Sequence, residues 1–296
     1  MSNNLFKKKS SKKIFVSIII PTRNSEKYLQ TLLLSIKKQK YQKSEVIVAD
    51  NNSTDSTINI ARKFQAVVLP IQGVAPRVCQ QRNEGAKIAK GEYLLFLDHD
   101  MELSPNFFNV LTNTIEKNKK RPDALYIPEK IVAKSKVLLI ARNFEAEFIK
   151  NTIVSAVRLI KKTAFLKTKG YDISLSSGPA DWDLDIQLKL LKVKFATLRT
   201  FLYHHEENLT IWSYIFKKTK YIKGEELYKK KWRGNKDVYE NIVVKQYSLR
   251  YRIFWVFVEH KKWKTLIKHL GRYSVFLIVK LSLVAVYVYW RKKYVR

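Results

Sequence analysis

Tyr93-Leu94-Leu95-Phe96-Leu97-Asp98-His99-Asp100 is an apolar run of strand length that ends in two carboxylates. A run apolar at every position reads as a strand covered on both faces, as in a parallel sheet. Two acids fixed at its end are what a hard divalent cation needs. The same pattern recurs upstream. Glu45-Val46-Ile47-Val48-Ala49 leads into Asp50-Asn51-Asn52-Ser53-Thr54-Asp55, and Val16-Ser17-Ile18-Ile19-Ile20 leads into Pro21-Thr22-Arg23-Asn24. Between these runs Tyr28, Leu29, Leu32, Leu33 and Ile36 recur at helical spacing. Thr54 reads as the N-cap of a helix through Phe64, followed by a short strand over 66–69. A helix is expected over 77–90 with Gly91 ending it, and Ser104-Pro105 should open another that buries Phe107, Phe108, Leu111 and Ile115. The alternation predicts an α/β fold with a mainly parallel sheet flanked by helices. Such sheets bind ligands beyond the carboxyl ends of their strands, where all three polar clusters fall.

Composition bounds the partners. The 296 residues include 57 Lys and Arg against 25 Asp and Glu, a formal charge of +32 that attracts nucleic acid, phosphorylated substrates or an acidic bilayer. No helix-turn-helix, zinc or RNA-binding motif is present, and the aromatics gather in apolar runs, so nucleic acid is the last-ranked partner. Nearly half the residues are apolar, which excludes a disordered chain. One cysteine, Cys79, excludes an intrachain disulfide framework and fits a reducing compartment. Residues 1–13 form a basic tail. The apolar run after them is short and lacks a small-residue cleavage pattern, so it reads as a first strand rather than an export signal.

Further along, a long helix is expected over 141–159, carrying Arg142 and the phosphate candidate Arg158. A turn at Gly170-Tyr171-Asp172 leads to Gly178-Pro179-Ala180-Asp181-Trp182-Asp183-Leu184, where a helix should present Asp181 at its N-terminal edge. Trp263, Leu266, Ile267 and Leu270 form an apolar stripe with lysines on the other positions, as in a helix lying in a membrane interface. Residues 275–290 are more apolar, but at about 1.5 Å per residue they fall short of the roughly 30 Å hydrocarbon core. A monotopic anchor is preferred over a span, with a helix hairpin packed on the main domain as the alternative.

The ordered motifs, 16–24, 48–55, 81–86 and 91–100, resemble those of family 2 glycosyltransferases with the GT-A fold, a Rossmann-like sheet flanked by helices. The resemblance implies a GT-A domain over 14–223 and a helical, membrane-associating region over 224–296. It implies that Pro21, Thr22, Asn24 and Asp50 line a nucleotide pocket closed by Arg82 and Asn83, and that Asp98 and Asp100 hold Mg2+ or Mn2+ against the diphosphate. Asp98 would contact ribose or metal-bound water, and Asp100 the metal itself. Asn51 and Asn52 fit turn chemistry. Asp181 matches the family's catalytic base, although Ala180 replaces the usual Glu; Asp183 competes for the role, and Asp172 and Asp185 read as structural. His204 and Glu206 match a His-X-Glu element facing the diphosphate or metal, with adjacent surface histidines as the alternative. Lys218 and Tyr221 match a basic-aromatic element.

The expected protein is an inverting, metal-dependent transferase. It would move sugar from a nucleotide-diphosphate donor to a lipid-linked or cell-envelope glycan acceptor at the cytoplasmic face of an anionic membrane. The missing acid at position 180 leaves open a non-catalytic sugar-binding or scaffold subunit.

Overall fold

A computed structural model describes residues 14–73, 77–118, 121–175, 179–207, 209–210, 212–214 and 222–294. The basic tail and the Lys218 and Tyr221 element lie outside these residues. Seven strands form the main sheet in the order β3 (Val67–Pro70), β2 (Ser44–Asp50), β1 (Val16–Thr22), β4 (Tyr93–Phe96), β8 (Val157–Lys161), β6 (Ala124–Tyr126) and β9 (Phe195–Thr197). β1, β2, β3 and β4 run parallel, whereas β8 is antiparallel to both β4 and β6. A smaller sheet places β10 (Leu202–His205) between β5 (Met101–Leu103) and β7 (Glu129–Val132).

Strand periodicity sorts the core. Ile18 and Ile20 face α1 (Glu26–Lys38), α2 (Thr57–Lys63) and α4 (Phe107–Glu116), whose Leu29, Leu32, Leu33, Ala61, Phe107 and Leu111 are buried with them. Ile19, one residue out of phase, joins Cys79 and Ala86 of α3 (Val78–Ile88) on the opposite face. Gly91 is required between α3 and β4, because a Cβ there would lie 2.4 Å from the Ser17 backbone nitrogen.

Several expected boundaries move. The helix expected over 141–159 divides into α5 (Lys136–Phe148) and β8, so Arg158 lies on a strand. Asn151 takes a left-handed φ of 56° and Thr152 Oγ1 donates to the Ile149 carbonyl at 2.7 Å, which turns the chain out of α5. α2 starts at Thr57 rather than after a Thr54 cap, since Asp55 Oδ1 accepts the Thr57 N–H at 3.0 Å. α4 starts after Asn106, at φ 59°, instead of at Ser104-Pro105, and the Ser104 hydroxyl bonds Thr200 at 2.6 Å.

α6 (Lys162–Phe165) leads from β8 toward the turn at Gly170, and α7 (Ala180–Leu190) packs Leu184, Ile186 and Leu188 beneath the sheet. Residues 224–294 fold back onto this layer. Tyr228, Val238 and Val243 share the α7 core. The C-terminal helix, Leu270–Tyr294, lies on α5, where Phe276, Phe257, Phe144 and Phe148 stack with centroids 4.8–6.1 Å apart. Among the described residues no helix is long and apolar enough to cross a membrane.

Candidate active site

Because β2, β1 and β4 are parallel neighbours, the polar runs after them meet on one sheet edge. Pro21 is level with Ala49, and Thr22 with Asp50. Thr22 Oγ1 donates to Asp50 Oδ1 at 2.8 Å, and the Ser53 N–H donates to Oδ2 at 2.9 Å. Asn24, left-handed at φ 48°, accepts the Thr54 N–H at 2.9 Å. Asp55 accepts the Glu26 N–H and Glu26 accepts the Ser56 N–H, so the loops after β1 and β2 cap each other's helices. Gln81 Nε2 ties α3 to both strand ends by donating to the Thr22 and Ala49 carbonyls at 2.8 and 2.6 Å. Asp50 is buried within this loop network, organising the pocket edge through the partners it already has.

The acids beyond β4 belong to a chain of alternating charges. Arg82 donates through Nη1 to Asp181 Oδ1 at 2.7 Å and through Nη2 to Asp98 Oδ1 at 2.6 Å. Arg158 donates to Asp98 Oδ2 at 3.2 Å and to Glu129 Oε1 at 2.8 Å. His204 lies 3.0 Å from Glu129 Oε2 and 3.5 Å from Asp100 Oδ2. The antiparallel return of β8 explains Arg158: Leu95 pairs with Leu159, which puts Arg158 beside the end of β4. β10 does the same for His204, which pairs with Met101 and Ile131.

Burial alone would raise the Asp98 carboxyl, but Arg158 and Arg82 hold it well below the usual range. Burial likewise opposes the Glu129 charge, yet Arg158 and His204 bring its pKa down to about 2. His204 is desolvated, but its bonds to Asp100 and Glu129 raise it to about 10, so it is a cation between two carboxylates.

Asp181 sits in the first turn of α7 with its side chain 28% exposed, so it faces both Arg82 and open cleft. The competing base Asp183 is fully buried and accepts from Gln187, Lys231 and Trp232, which excludes it. Asp185 binds the Tyr126 hydroxyl and Asp172 binds Ser174 and Lys231, both structural roles. Asn83, expected at the nucleotide, instead clamps the Tyr171 backbone through Nδ2 and Oδ1 at 2.8 and 2.9 Å. Gly170, at φ +69°, leaves it room: a Cβ would lie 2.7 Å from Asn83 Oδ1. Asn51 Nδ2 donates to the Ile71 and Gly73 carbonyls, the expected turn role. Glu206 does not share the His204 direction. It accepts from Arg142 at 3.2 Å, because β10 ends at His205 and the two-residue alternation ends with it. Glu129 gave no signal in the sequence, since its partners are 29 and 75 residues away.

The donor set admits a metal in a restricted way. Among the described residues no group of three or more His, Cys, Asp or Glu forms a ready-made metal site. Both Asp98 oxygens carry guanidinium partners, and both His204 ring nitrogens face carboxylates, Nδ1 that of Glu129 and Nε2 that of Asp100. Asp100 Oδ1, in contrast, is buried without a hydrogen-bond partner. One carboxylate oxygen fits a cation whose other ligands are substrate phosphates and water, the usual arrangement for Mg2+.

The family model described as "Glycosyl transferase family 2" matches residues 17–160. A poly(ribitol-phosphate) beta-N-acetylglucosaminyltransferase, TarS, from Staphylococcus aureus is 40% identical over 90 residues, 28% of this chain and 16% of that enzyme. Glycosyltransferase GlyG from Streptococcus pneumoniae is 31% identical over 34% of this chain and 35% of its own. The chain thus spans a minor part of these relatives' lengths. In structure, S. aureus TarS 1–349 in complex with UDP aligns over 93% of this chain and 89% of its own, with a TM-score of 0.57 and 19% identity. The mannosyltransferase PcManGT from Pyrobaculum calidifontis, in complex with GDP-Man and Mn2+, aligns over 97% of this chain and 89% of its own at TM-score 0.66 and 14% identity. The fold is therefore α/β with a mainly parallel sheet flanked by helices, like these neighbours, and residues 17–160 match the model of glycosyl transferase family 2.

Proposed function

We propose that this protein is a metal-dependent, inverting glycosyltransferase that moves a sugar from a nucleotide-diphosphate donor to a cell-envelope glycan or lipid-linked acceptor. The observation that carries the reading is Arg82, which joins Asp98 at the donor edge to Asp181 at the open cleft. The nucleotide would lie over Pro21, Thr22, Asn24 and Asp50. Asp100 Oδ1 would hold Mg2+ or Mn2+, which when bound supplies positive charge for the departing diphosphate. Asp181 would accept the proton of the attacking hydroxyl, and its bond to Arg82 fixes the orientation of the carboxylate. Arg158 and Arg82, held rigidly, place two further cations beside the leaving group.

Support for an envelope acceptor comes from the relatives, whose names specify poly(ribitol-phosphate) as acceptor. Membrane association is proposed from the +32 charge together with exposed Phe254, Trp255, Trp263, Ile267, Leu270, Ile278 and Leu281 in the C-terminal region. The cytoplasmic face is proposed because nucleotide sugars and a reduced Cys79 belong in the same compartment.

The experiment is turnover of a panel of UDP- and GDP-sugars with Mn2+, following release of the nucleoside diphosphate, for the parent chain and Asp181→Asn. Slow donor hydrolysis by the parent is expected. Transfer to acceptor should fall about 10³-fold in Asp181→Asn with nucleotide affinity retained. Nucleotide-sugar binding with no hydrolysis and no transfer would favour the non-catalytic subunit suggested by Ala180.

A further inference from the structure

Behind Asp181 the cleft continues into a cavity of about 630 Å³ whose walls come from α5, α7, residues 246–252 and the C-terminal helix. Trp182 and Tyr247 meet edge to face in it, with centroids 5.7 Å apart, and Leu283 and Val284 add an apolar wall. Its charge balance is uneven. Arg142 is held by Glu206 and Lys229 by Glu225, but Arg252 and Lys280 share a single oxygen, Glu145 Oε1, at 2.8 and 2.7 Å. Asp181 is engaged by Arg82. Among the described residues one cation is thus in excess where the Glu145 side chain is only 8% exposed. Burial brings the Lys280 pKa down to about 8; Glu145 opposes this and Arg252 adds to it. A buried charge that shares its counter-ion is costly, and an arriving anion would remove that cost.

The geometry points to this cavity as the acceptor subsite, with the acceptor carrying a phosphate group seated on Arg252 and Lys280. The acceptor hydroxyl then faces Asp181, and its carbon skeleton lies along Trp182, Tyr247 and Leu283. A guanidinium and an ammonium reaching one point from different elements suit an anion with several oxygens in a tetrahedron. A lipid phosphate and a polyol phosphate share this chemistry. The inference rests on the transferase reading of Asp181, and it makes the C-terminal helix part of the substrate site.

The test is calorimetric titration of the full chain, saturated with UDP or GDP and Mn2+ so that the donor site is filled. Geranyl phosphate is compared with geraniol, and glycerol 3-phosphate with glycerol. At least one phosphate should bind about tenfold or more tightly than its alcohol, and the pair that shows it names the source. Lys280→Gln should weaken that phosphate about tenfold. Glu145→Gln should tighten it several-fold, because the two cations lose their internal competitor. Equal binding of phosphate and alcohol in both pairs overturns the inference, and so does a phosphate preference unchanged in both variants. The parent-chain comparison stands even where a variant misfolds. Failure of UDP and GDP to bind at all would remove the transferase reading; nucleotide binding without phosphate preference would remove only the acceptor subsite.

Discussion

Arg82 is the residue through which the two halves of the site are joined. It is buried, and its two side-chain bonds go to Asp98 and Asp181 from a single guanidinium. Replacing it with Met should cost about 3 kcal/mol in urea unfolding, because Asp181 loses its guanidinium partner and Asp98 one of its two. A loss under about 1 kcal/mol would mean the bridge is not held in solution. Lys280 carries an opposite effect. With a folded pKa near 8 against 10.5 unfolded, the charged ammonium opposes folding; the cost is complete below about 8 and fades as the pH climbs toward 10.5. Lys280→Met should therefore melt higher than the parent at pH 7, by up to about 3 kcal/mol, with the gap closing by pH 10. A gap independent of pH would contradict this. Asp98 and Asp100 were legible from the sequence because they follow an apolar run of strand length, whereas Arg82, inside its helix, and the role of Asp181 came only through the family resemblance. Glu129 and the true partners of Asn83 were not, since nothing local marks a contact made across the sheet.

Among elements, the C-terminal helix has the largest consequence. Its Phe276 enters an aromatic cluster with Phe144, Phe257 and Tyr273, which fastens the helix to α5. Phe276→Ala should cost about 3–4 kcal/mol by denaturant melting, as expected when a buried ring leaves a cavity. A surface-like loss under about 0.5 kcal/mol would detach the helix from the core. Over 275–290 composition cannot distinguish a face packed on protein from one facing lipid, which is why the sequence admits both a monotopic anchor and a helix hairpin packed on the main domain. The packed face is now defined by Phe276, Val279 and Lys280, while Ile278 and Leu281 stay exposed. The division of 141–159 into α5 and β8 was hidden for a similar reason. Its apolar spacing suits either element, and the break is made by Asn151 and Thr152 through backbone geometry that periodicity does not report.

At the scale of the molecule, parallel strands bring donor-side residues to one edge, and the antiparallel β8 and the small sheet return Arg158, Glu129 and His204 to the same place. The parallel half was readable from three strand-and-polar units; the antiparallel half was not, because short strands of three to five residues leave little pattern. The charge of +32 predicts binding to vesicles containing anionic lipid that weakens steeply from low salt to about 0.5 M NaCl, as the Debye length shrinks. Equal binding to neutral vesicles at all salt concentrations would leave only the exposed apolar residues to explain it. The central claim is that Asp100 couples a divalent cation to the nucleotide diphosphate. Thermal melting of the parent chain and Asp100→Ala with UDP or GDP, with and without Mn2+, tests it most directly. The parent should gain several degrees only when nucleotide and Mn2+ are both present, and Asp100→Ala should lose that joint gain; an equal joint gain in the variant would contradict the account.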